Sequence, residues 1–442
     1  MVSAAEQMAA NTSWSALGKA TDLRKRIFFT LGLLIVYRLG TYIPVPGIDG
    51  AELREFMEGA ASSIGGMLSM FTGGALGRMG IFALGIMPYI SASIIVQLLA
   101  AMVPALEQLK KEGEQGRKKI NQYTRYGTVF LATLQSYGLA VSLQSGDLVT
   151  TPGFFFIASC MITLVGGTMF LMWLGEQITA RGVGNGISLI IFVGIIAEVP
   201  AALAQFFASG RSGAISPAVI IGVIIMVIAV IAFVVFMERS LRKIHIQYPR
   251  RQVGMKVYDG GTSHLPIKVN PAGVIPAIFA SSLLLLPATI AGFSAQSGPE
   301  WLRTTVALLG PGQPLFLAFY AFLIIFFTFF YTSIVFNPDD VADNLKKYGG
   351  FLPGIRPGKN TAEYLDFVLT RLTTVGAIYL VFICLLPEFL VAQYNIPFYF
   401  GGTSLLIVVT VTMDTVAQIH SYLIAHQYEG LIKKSKLRGR RR

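Results

Sequence analysis

The chain has 442 residues, of which 54% are hydrophobic and only 13% are charged, and its mean hydropathy is +0.63. This composition excludes an ordinary soluble domain and predicts that most of the chain lies in a lipid bilayer. The formal net charge of +12 would suit a nucleic-acid-binding protein, but in a membrane protein its meaning depends on where the charges fall.

Ten apolar segments are long enough to cross about 30 Å of hydrocarbon at about 1.5 Å per residue. The first has no small-residue cleavage site and is followed by further spans, so we predict a membrane span rather than a removable signal peptide. A hydropathy window could merge the fourth and fifth segments, but Gly182, Gly184 and Gly186 mark a turn between them and favour ten. The segments are 27–43, 81–103, 126–143, 154–175, 186–207, 215–237, 272–292, 315–336, 368–387 and 399–420.

All but five of the 35 lysines and arginines fall on one side of the membrane if the N-terminus is cytoplasmic. The positive-inside rule therefore predicts that both termini are cytoplasmic. Arg38 lies near the end of the first span. Burying its charge at the bilayer centre would cost about 2.5–3.5 kcal/mol, so we predict that its side chain extends to the far interface instead. The five exceptions are Arg38, Arg54, Arg78, Arg211 and Arg303.

The predicted fold is an all-α membrane protein of about ten spans in two five-helix halves. Because five is an odd number, the second half enters from the opposite side, so halves that share a fold would be inverted repeats. The two halves have no clear self-similarity in sequence. The predicted organisation is a cytoplasmic segment at 1–26, an N-terminal half at 27–207, a connection at 208–214, a C-terminal half at 215–420 and a basic cytoplasmic tail at 421–442.

Residues 62–80 are apolar, but they are too short and too glycine-rich to span the membrane. Irregular backbone at membrane depth is tolerated only where protein shields it or where it lines a watery cavity. A re-entrant segment inside a cavity fits this rule. A hairpin lying on the external surface fits the hydropathy equally well, since glycine-rich external loops are common.

Two long polar connections, at 238–269 and 337–365, are predicted to protrude into the cytoplasm. The first is basic and carries turn residues, which favours a hairpin that binds an anionic partner. Topology-setting charge and attraction to anionic lipid would explain its basic residues as well. In the second, Pro353 and Pro357 bracket Arg356 and stiffen its turn. That arrangement suits a docking contact, and a topology-setting charge is the alternative.

The sequence offers little for enzyme chemistry. Cys160 and Cys384 lie in separate apolar runs, and the four histidines lack the spacing of a helical metal motif. Nucleophile, zincin and phosphate-loop motifs are absent from the sequence. We therefore predict no catalytic residue, no metal site and no cofactor. Gln97 and Asn270 are polar groups in or beside spans, suited to a weak hydrogen bond of about 0.6 kcal/mol between helices.

Long and irregular strings along almost the whole chain resemble one family, the SecY channel subunits of the bacterial protein translocon. The strings include IPVPGID at 43–49, GGALGRMGIFALGIMPYISASIIVQLL at 73–99, KKEGEQGRKKINQYTRYGT at 110–128, NPDDVADNLKK at 337–347, GIRPG at 354–358 and PFYFGGTSLLIVV at 397–409. Strings of this length do not recur through hydropathy alone.

This resemblance implies two inverted halves that enclose an hourglass channel, with the glycine-rich segment as its plug. Motif positions imply a constricting ring of aliphatic side chains, which passes water and ions poorly but can part around an extended polypeptide. Ile86 and Ile90, spaced i and i+4, share one helix face, as such a ring requires. The implied plug residues are Met67, Met70 and Phe71, and the implied ring residues are Ile86, Ile90, Ile191, Ile278 and Ile407.

The resemblance also implies a lateral gate between the second and seventh spans, through which signal sequences leave into lipid. The two basic loops resemble the family's platform for the SecA motor ATPase and the ribosome. The implied gate residues are Ser91, Gln97, Asn270 and Leu286, and the implied docking residues are Arg250, Arg251, Lys256 and Arg356. Met255 stands where a basic residue is expected. Implied partners are SecE, SecG and secretory preproteins, in the bacterial inner membrane.

Two other functions remain compatible with the residues themselves. A secondary transporter also uses inverted halves and broken helices, although this chain has few intramembrane carboxylates. A membrane scaffold or insertion factor without an open pore would use the basic loops to recruit ribosomes. An ion-conducting state after plug deletion would distinguish the channel from the scaffold.

Overall fold

The computed structural model describes residues 21–48, 53, 72–145, 148–212, 216–249, 251–253, 256–258, 261–294, 313–394 and 402–439. A helix overlaps each predicted span, but the second span, predicted at 81–103, begins as a helix only at Met87. The helices are α1 (Thr21–Gly40), α2 (Met87–Met102), α3 (Pro104–Lys111), α4 (Glu114–Ser145), α5 (Phe154–Arg181), α6 (Gly186–Arg211), α7 (Pro217–Arg239), α8 (Ile275–Ser294), α9 (Pro314–Val335), α10 (Pro338–Lys347), α11 (Lys359–Tyr394) and α12 (Gly402–Gly439).

The prediction of a helical protein with several membrane spans is confirmed. Among the described residues, six helical stretches are long and apolar enough to cross a bilayer, and a seventh is gained if α2 and α3 form one broken span. That pair bends by 103° at Val103, because Pro104 disfavours a helical conformation at the residue before it. The full count of ten crossings stays a prediction.

The helix boundaries follow the proline and glycine punctuation of the sequence. Proline occupies the first turn of α2, α7, α9 and α10, where its missing N–H would have had no helical partner. Between α5 and α6, Gly184 adopts a φ of +88°, which favours glycine over any residue with a Cβ. The turn expected between the fourth and fifth spans is therefore present.

The chain divides into two compact units. The first comprises Met1–Ala204, Thr289–Gly298 and Ile407–Arg442, and the second comprises Gln205–Ala288 and Pro299–Leu406. The first division falls within α6, close to the predicted connection at 208–214. Residues 407–420 of α12, which the sequence assigned to the C-terminal half, group with the first unit.

In the first unit, α4 packs against both α2 and α5, and α1 packs against α5. A core cluster joins α4 and α5 to the chain around Val45 and Leu76. A smaller cluster brings Leu23 of α1, Val183 and Leu423 of α12 together. The second unit contains α9 packed against α11, with α10 also on α11.

The described residues of the second unit also contain four strands, an addition to the predicted all-α fold. They are β1 (Leu241–Gln247), β2 (Arg251–Val253), β3 (Lys256–Tyr258) and β4 (Thr262–Lys268). β1 pairs antiparallel with β4 from Leu241↔Lys268 to Gln247↔Thr262, and β2 pairs antiparallel with β3. The hairpin expected from the turn residues of the first loop is therefore present as nested strand pairs.

Candidate functional site

A non-helical stretch at residues 72–86, named here the turn segment, runs from the glycine-rich insert to the start of α2. Most of its residues are buried. Its backbone is tied to the chain after α1, since Val45 N donates to Met79 O at 2.8 Å and Ile81 N donates to Ile43 O at 2.9 Å. Protein therefore shields the described part of the insert, which favours the re-entrant alternative over an exposed surface hairpin.

The end of α1 holds the start of the turn segment. Nη1 of Arg38 donates to the carbonyl oxygen of Gly73 at 2.7 Å, and its Nη2 donates to the hydroxyl of Tyr42 at 3.2 Å. The hydroxyl of Tyr37 donates to the carbonyl oxygen of Thr72 at 3.4 Å. The sequence favoured snorkelling for Arg38, whereas its guanidinium binds two groups of the protein.

A second arginine of the segment meets an aromatic ring and a carboxylate. The Arg78 guanidinium lies over the Tyr42 ring, 4.4 Å from its centre. Its Nη2 lies 3.7 Å from Oε1 of Glu198 on α6. Both charged side chains are partly exposed, so solvent screening limits the free energy of this pair. Glu198 thus has a cationic neighbour.

Helix α5 packs directly against the turn segment. A methyl group built on Gly167 would overlap the carbonyl oxygen of Ile81, whereas nothing lies within 4 Å of one built on Gly166. Phe82 stacks between Tyr37 and Phe170, with ring centres 6.1 and 6.0 Å away. The segment is therefore in backbone contact with α5 at a position that only glycine fills.

The implied plug residues Met67, Met70 and Phe71 lie outside the described residues. The implied ring residues are all buried, each less than 10% exposed. Ile86 is the last residue of the turn segment, and Ile90 lies in the first turn of α2. Ile191, Ile278 and Ile407 lie in α6, α8 and α12 respectively. Their role as a ring stays a prediction.

Two of the implied gate residues, Gln97 and Asn270, have hydrogen-bond partners within their own units. Gln97 on α2 donates to the hydroxyl of Ser93 at 3.1 Å. Asn270, just before α8, donates through Nδ2 to Oε1 of buried Glu238 at 3.0 Å and to the carbonyl oxygen of Gly273 at 3.0 Å. Ser91 is buried on α2, and Leu286 lies in α8.

The two predicted cytoplasmic loops form one platform, defined here as β1–β4 together with residues 337–365. Gln247 and Phe351 exchange backbone hydrogen bonds of 2.9 and 3.0 Å. Ile244 and Ile267 of the sheet share a core with Leu352, Leu365 and Leu369. Because this core fixes the sheet on α11, both loops present their exposed side chains from a single body.

Arg356 is exposed on this platform. Its carbonyl oxygen accepts a hydrogen bond from the Thr361 hydroxyl at 3.1 Å, and Ile355 N donates to Leu352 O at 3.1 Å. These bonds fix the backbone on both sides of an exposed guanidinium, as the proline bracket predicted. Of the other implied docking residues, Arg251 lies in β2, Lys256 lies in β3 and Arg250 is outside the described residues.

Sequence reasoning missed the contacts that hold the turn segment and the platform. Arg38, Arg78 and Glu198 gave only the signal of charge in or beside apolar spans, and the sequence does not show which groups they contact. The buried pair of Glu238 and Asn270 was also missed, although a carboxylate at the end of a span was a usable signal. Within the described residues, no group of three or more His, Cys, Asp or Glu side chains is placed to hold a metal ion.

Comparison with known proteins gives one family. The SecY family model matches residues 80–416. The chain is 55% identical over 430 residues to the protein translocase subunit SecY of Escherichia coli K12, covering 96% of this chain and 97% of that relative. It resembles the solved structure of a protein conducting channel with a TM-score of 0.65 at 19% identity, covering 90% and 92% of the two chains. It also resembles Sec61 in the canine ribosome-channel complex from the endoplasmic reticulum, with a TM-score of 0.64 at 18% identity and the same coverages.

Proposed function

The chain belongs to the SecY family, and from that premise we propose that it is the central protein-conducting channel subunit of the Sec translocon. It passes unfolded secretory polypeptides across the membrane and releases membrane-protein segments sideways into lipid. Kinship with a translocase subunit over nearly the whole chain carries this proposal. The buried turn segment supports it, because shielded irregular backbone at membrane depth is typical of a cavity.

In this proposal, two inverted five-helix halves enclose the channel, and Ile86, Ile90, Ile191, Ile278 and Ile407 form its constriction. Their burial supports the role. A narrow aliphatic ring passes hydrated ions poorly, since no side chain replaces the lost water. Its side chains part around an extended polypeptide without specific contacts, so the constriction accepts many sequences.

The glycine-rich insert is the plug that closes this channel, with Met67, Met70 and Phe71 near its tip. The described end of the insert supports an anchored plug, since Arg38 and Tyr37 bind the carbonyl oxygens of Gly73 and Thr72. These bonds fix the end of the insert that joins the turn segment.

The lateral gate lies between α2 and α8 and uses Ser91, Gln97, Asn270 and Leu286. A signal sequence that reaches it enters lipid because burial of its apolar surface lowers the free energy by about 25 cal/mol per Å². The gate needs no energy source of its own. We propose no catalytic residue and no cofactor, because the motor or the ribosome supplies the driving force.

The platform docks the SecA motor and the ribosome through Arg250, Arg251, Lys256 and Arg356. The likeness to a channel from a ribosome complex supports the ribosome as a partner, and the exposed Arg356 suits an acidic protein face or a phosphate. SecE and SecG complete the membrane complex. The distribution of Lys and Arg supports cytoplasmic termini in the bacterial inner membrane.

The test is protease protection of a secretory precursor in liposomes that contain this chain with SecE and SecG, plus SecA and ATP. We expect protection that depends on both ATP and this chain. Liposomes with SecE and SecG alone, and a non-hydrolysable ATP analogue, are the controls. Correctly folded complex that gives no protection would contradict the channel and return a transporter or a scaffold to consideration.

A further inference from the structure

Two histidines face each other across the β1–β4 pair of the platform. His245 on β1 is directly opposite His264 on β4. Val269 N donates to Ser240 O and Tyr248 N donates to Gly261 O, both at 3.1 Å. Ser240 and Tyr248 directly precede and follow β1, so the hydrogen-bonded pairs fall at even-numbered positions along it. Hydrogen-bonded pairs alternate with non-hydrogen-bonded pairs in an antiparallel ladder, so His245 and His264 form a non-hydrogen-bonded pair, where side chains come closest.

Both imidazoles are exposed. The other face of the same strands carries Ile244, Ile246 and Ile267, which are buried. Since successive side chains of a strand point to opposite faces, the histidines lie on the solvent side of the sheet. The ring centres are 5.1 Å apart, and the ring planes are tilted by 50°.

This separation matches two imidazoles that share one tetrahedral ion. A zinc–nitrogen bond is about 2.0–2.1 Å long, and the ring centre lies about 1.1 Å beyond the nitrogen. At a tetrahedral angle these lengths place the ring centres about 5.2 Å apart. The pairing geometry therefore brings the two rings to the distance that coordination requires without any movement of the strands.

We propose that His245 and His264 form a binding site for a divalent transition-metal ion of the zinc class. Imidazole nitrogen favours Zn²⁺, Ni²⁺ and Cu²⁺ over Mg²⁺ and Ca²⁺, which prefer oxygen ligands. Solvent, or a side chain of a docked partner, completes the coordination. Lys243 lies on the same face of β1, and its charge lowers the affinity for a cation. The site is therefore weaker than a structural zinc site with four protein ligands.

The test is a titration of the whole purified chain with Zn²⁺, followed by calorimetry and by hydrogen exchange of the peptide that spans β1 and β4. The protein carries no histidine tag and is first stripped with a chelator. We expect one ion per chain and slower exchange of the β1–β4 amides with zinc. His245→Ala and His264→Ala should each weaken binding at least tenfold, and the double variant should be little worse than either single one, because one imidazole alone no longer chelates the ion.

His426→Ala is the matched control, since His426 is an exposed histidine of α12, and it should bind zinc as the unchanged chain does. Hydrogen exchange without metal should be the same in all variants, which separates loss of a ligand from loss of the hairpin. Equal zinc affinity in the double variant, or binding of Mg²⁺ as strong as that of Zn²⁺, would overturn the proposal. No binding at millimolar Zn²⁺ would also overturn it, and the two histidines would then be interpreted as a ring contact without a metal.

Discussion

Arg38 and Gly73, 35 residues apart in sequence, are joined by a hydrogen bond of 2.7 Å from a guanidinium to a backbone carbonyl. The donor lies in the last turn of the first membrane helix, and the acceptor is the second residue of the turn segment. A carbonyl oxygen at membrane depth without a partner costs several kcal/mol. Arg38 therefore supplies the hydrogen-bond donor that this irregular backbone lacks, and it fixes the position of the backbone at Gly73.

Arg38→Gln should raise the ion leak of the resting channel. The bond involves a charged group, and such bonds contribute about 1.5–3 kcal/mol. Because Arg38 is only half-buried, we expect a loss at the lower end of this range. That loss corresponds to about a tenfold rise in the population of channels with an open pore. Iodide efflux from liposomes that contain the purified complex measures the leak.

Arg211→Gln is the control for this measurement, because Arg211 is an exposed arginine at the end of α6 and is predicted to lie on the same side of the membrane. Its leak should equal that of the unchanged chain. A normal leak from Arg38→Gln in correctly inserted protein would show that the arginine does not hold the plug closed.

Gly167→Ala should destabilise the chain, whereas Gly166→Ala should not. The added methyl at 167 meets the backbone oxygen of Ile81, which cannot rotate away, while the methyl at 166 meets open space. Overpacking typically costs about 1–3 kcal/mol, and alanine is favoured over glycine in a helix by about 1 kcal/mol. Thermal unfolding of the detergent-solubilised variants should therefore shift in opposite directions. Equal midpoints would contradict the close approach of α5 to the turn segment.

The sequence predicted much of the helical framework, because membrane spans are read from long apolar runs and their punctuation by proline and glycine. The positions of α6 and α7 illustrate this, since each begins at or beside a glycine or proline. The start of α2 was predicted six residues too early, because the apolar residues 81–86 of the turn segment read as part of the span. The bend at Val103 was not predicted, because a hydropathy window continues across Pro104. The strand pairs β1–β4 and β2–β3 appeared only as a hairpin expectation.

The contacts of the site could not be read from the sequence. Arg38 binds a backbone carbonyl oxygen. Every residue has such an oxygen, so the residue types in the sequence do not indicate which one is the acceptor. His245 and His264 are 19 residues apart, outside any helical spacing, and only the register of the hairpin makes them neighbours. The ring, gate and docking assignments rest on motif resemblance and stay predictions. The experiments that follow test a ring residue and a docking residue.

Ile191→Thr should raise ion leak through the closed channel, and Ile190→Thr should not. Both isoleucines lie on α6, and they are 4% and 2% exposed, but consecutive helix positions point about 100° apart. A hydroxyl at the constriction hydrates the ring and weakens the barrier to ions. The iodide efflux assay compares the two variants at matched protein density. If both variants leak alike, the effect reflects general loosening of the helix, and Ile191 is not a ring residue.

Arg356→Glu should block motor-dependent export and leave membrane insertion of the subunit intact. The Arg356 side chain is exposed on a turn whose backbone is fixed by Thr361 and Leu352, so charge reversal changes the docking surface without disturbing a core. If Arg356 pairs with an acidic group of the motor, glutamate at this position loses that contact and repels the same group. We therefore expect export to fall at least tenfold. The readout is ATP-dependent protease protection at saturating SecA.

Lys359→Glu is the matched control for charge, since Lys359 is also exposed and lies three residues away at the start of α11. A general electrostatic attraction of the platform would make both reversals equally harmful and would weaken as salt is raised. If Arg356 makes a specific contact, only Arg356→Glu should lose export strongly, and raising the salt concentration should not restore export. Normal export by Arg356→Glu would remove this residue from the docking surface, whatever the behaviour of its neighbour.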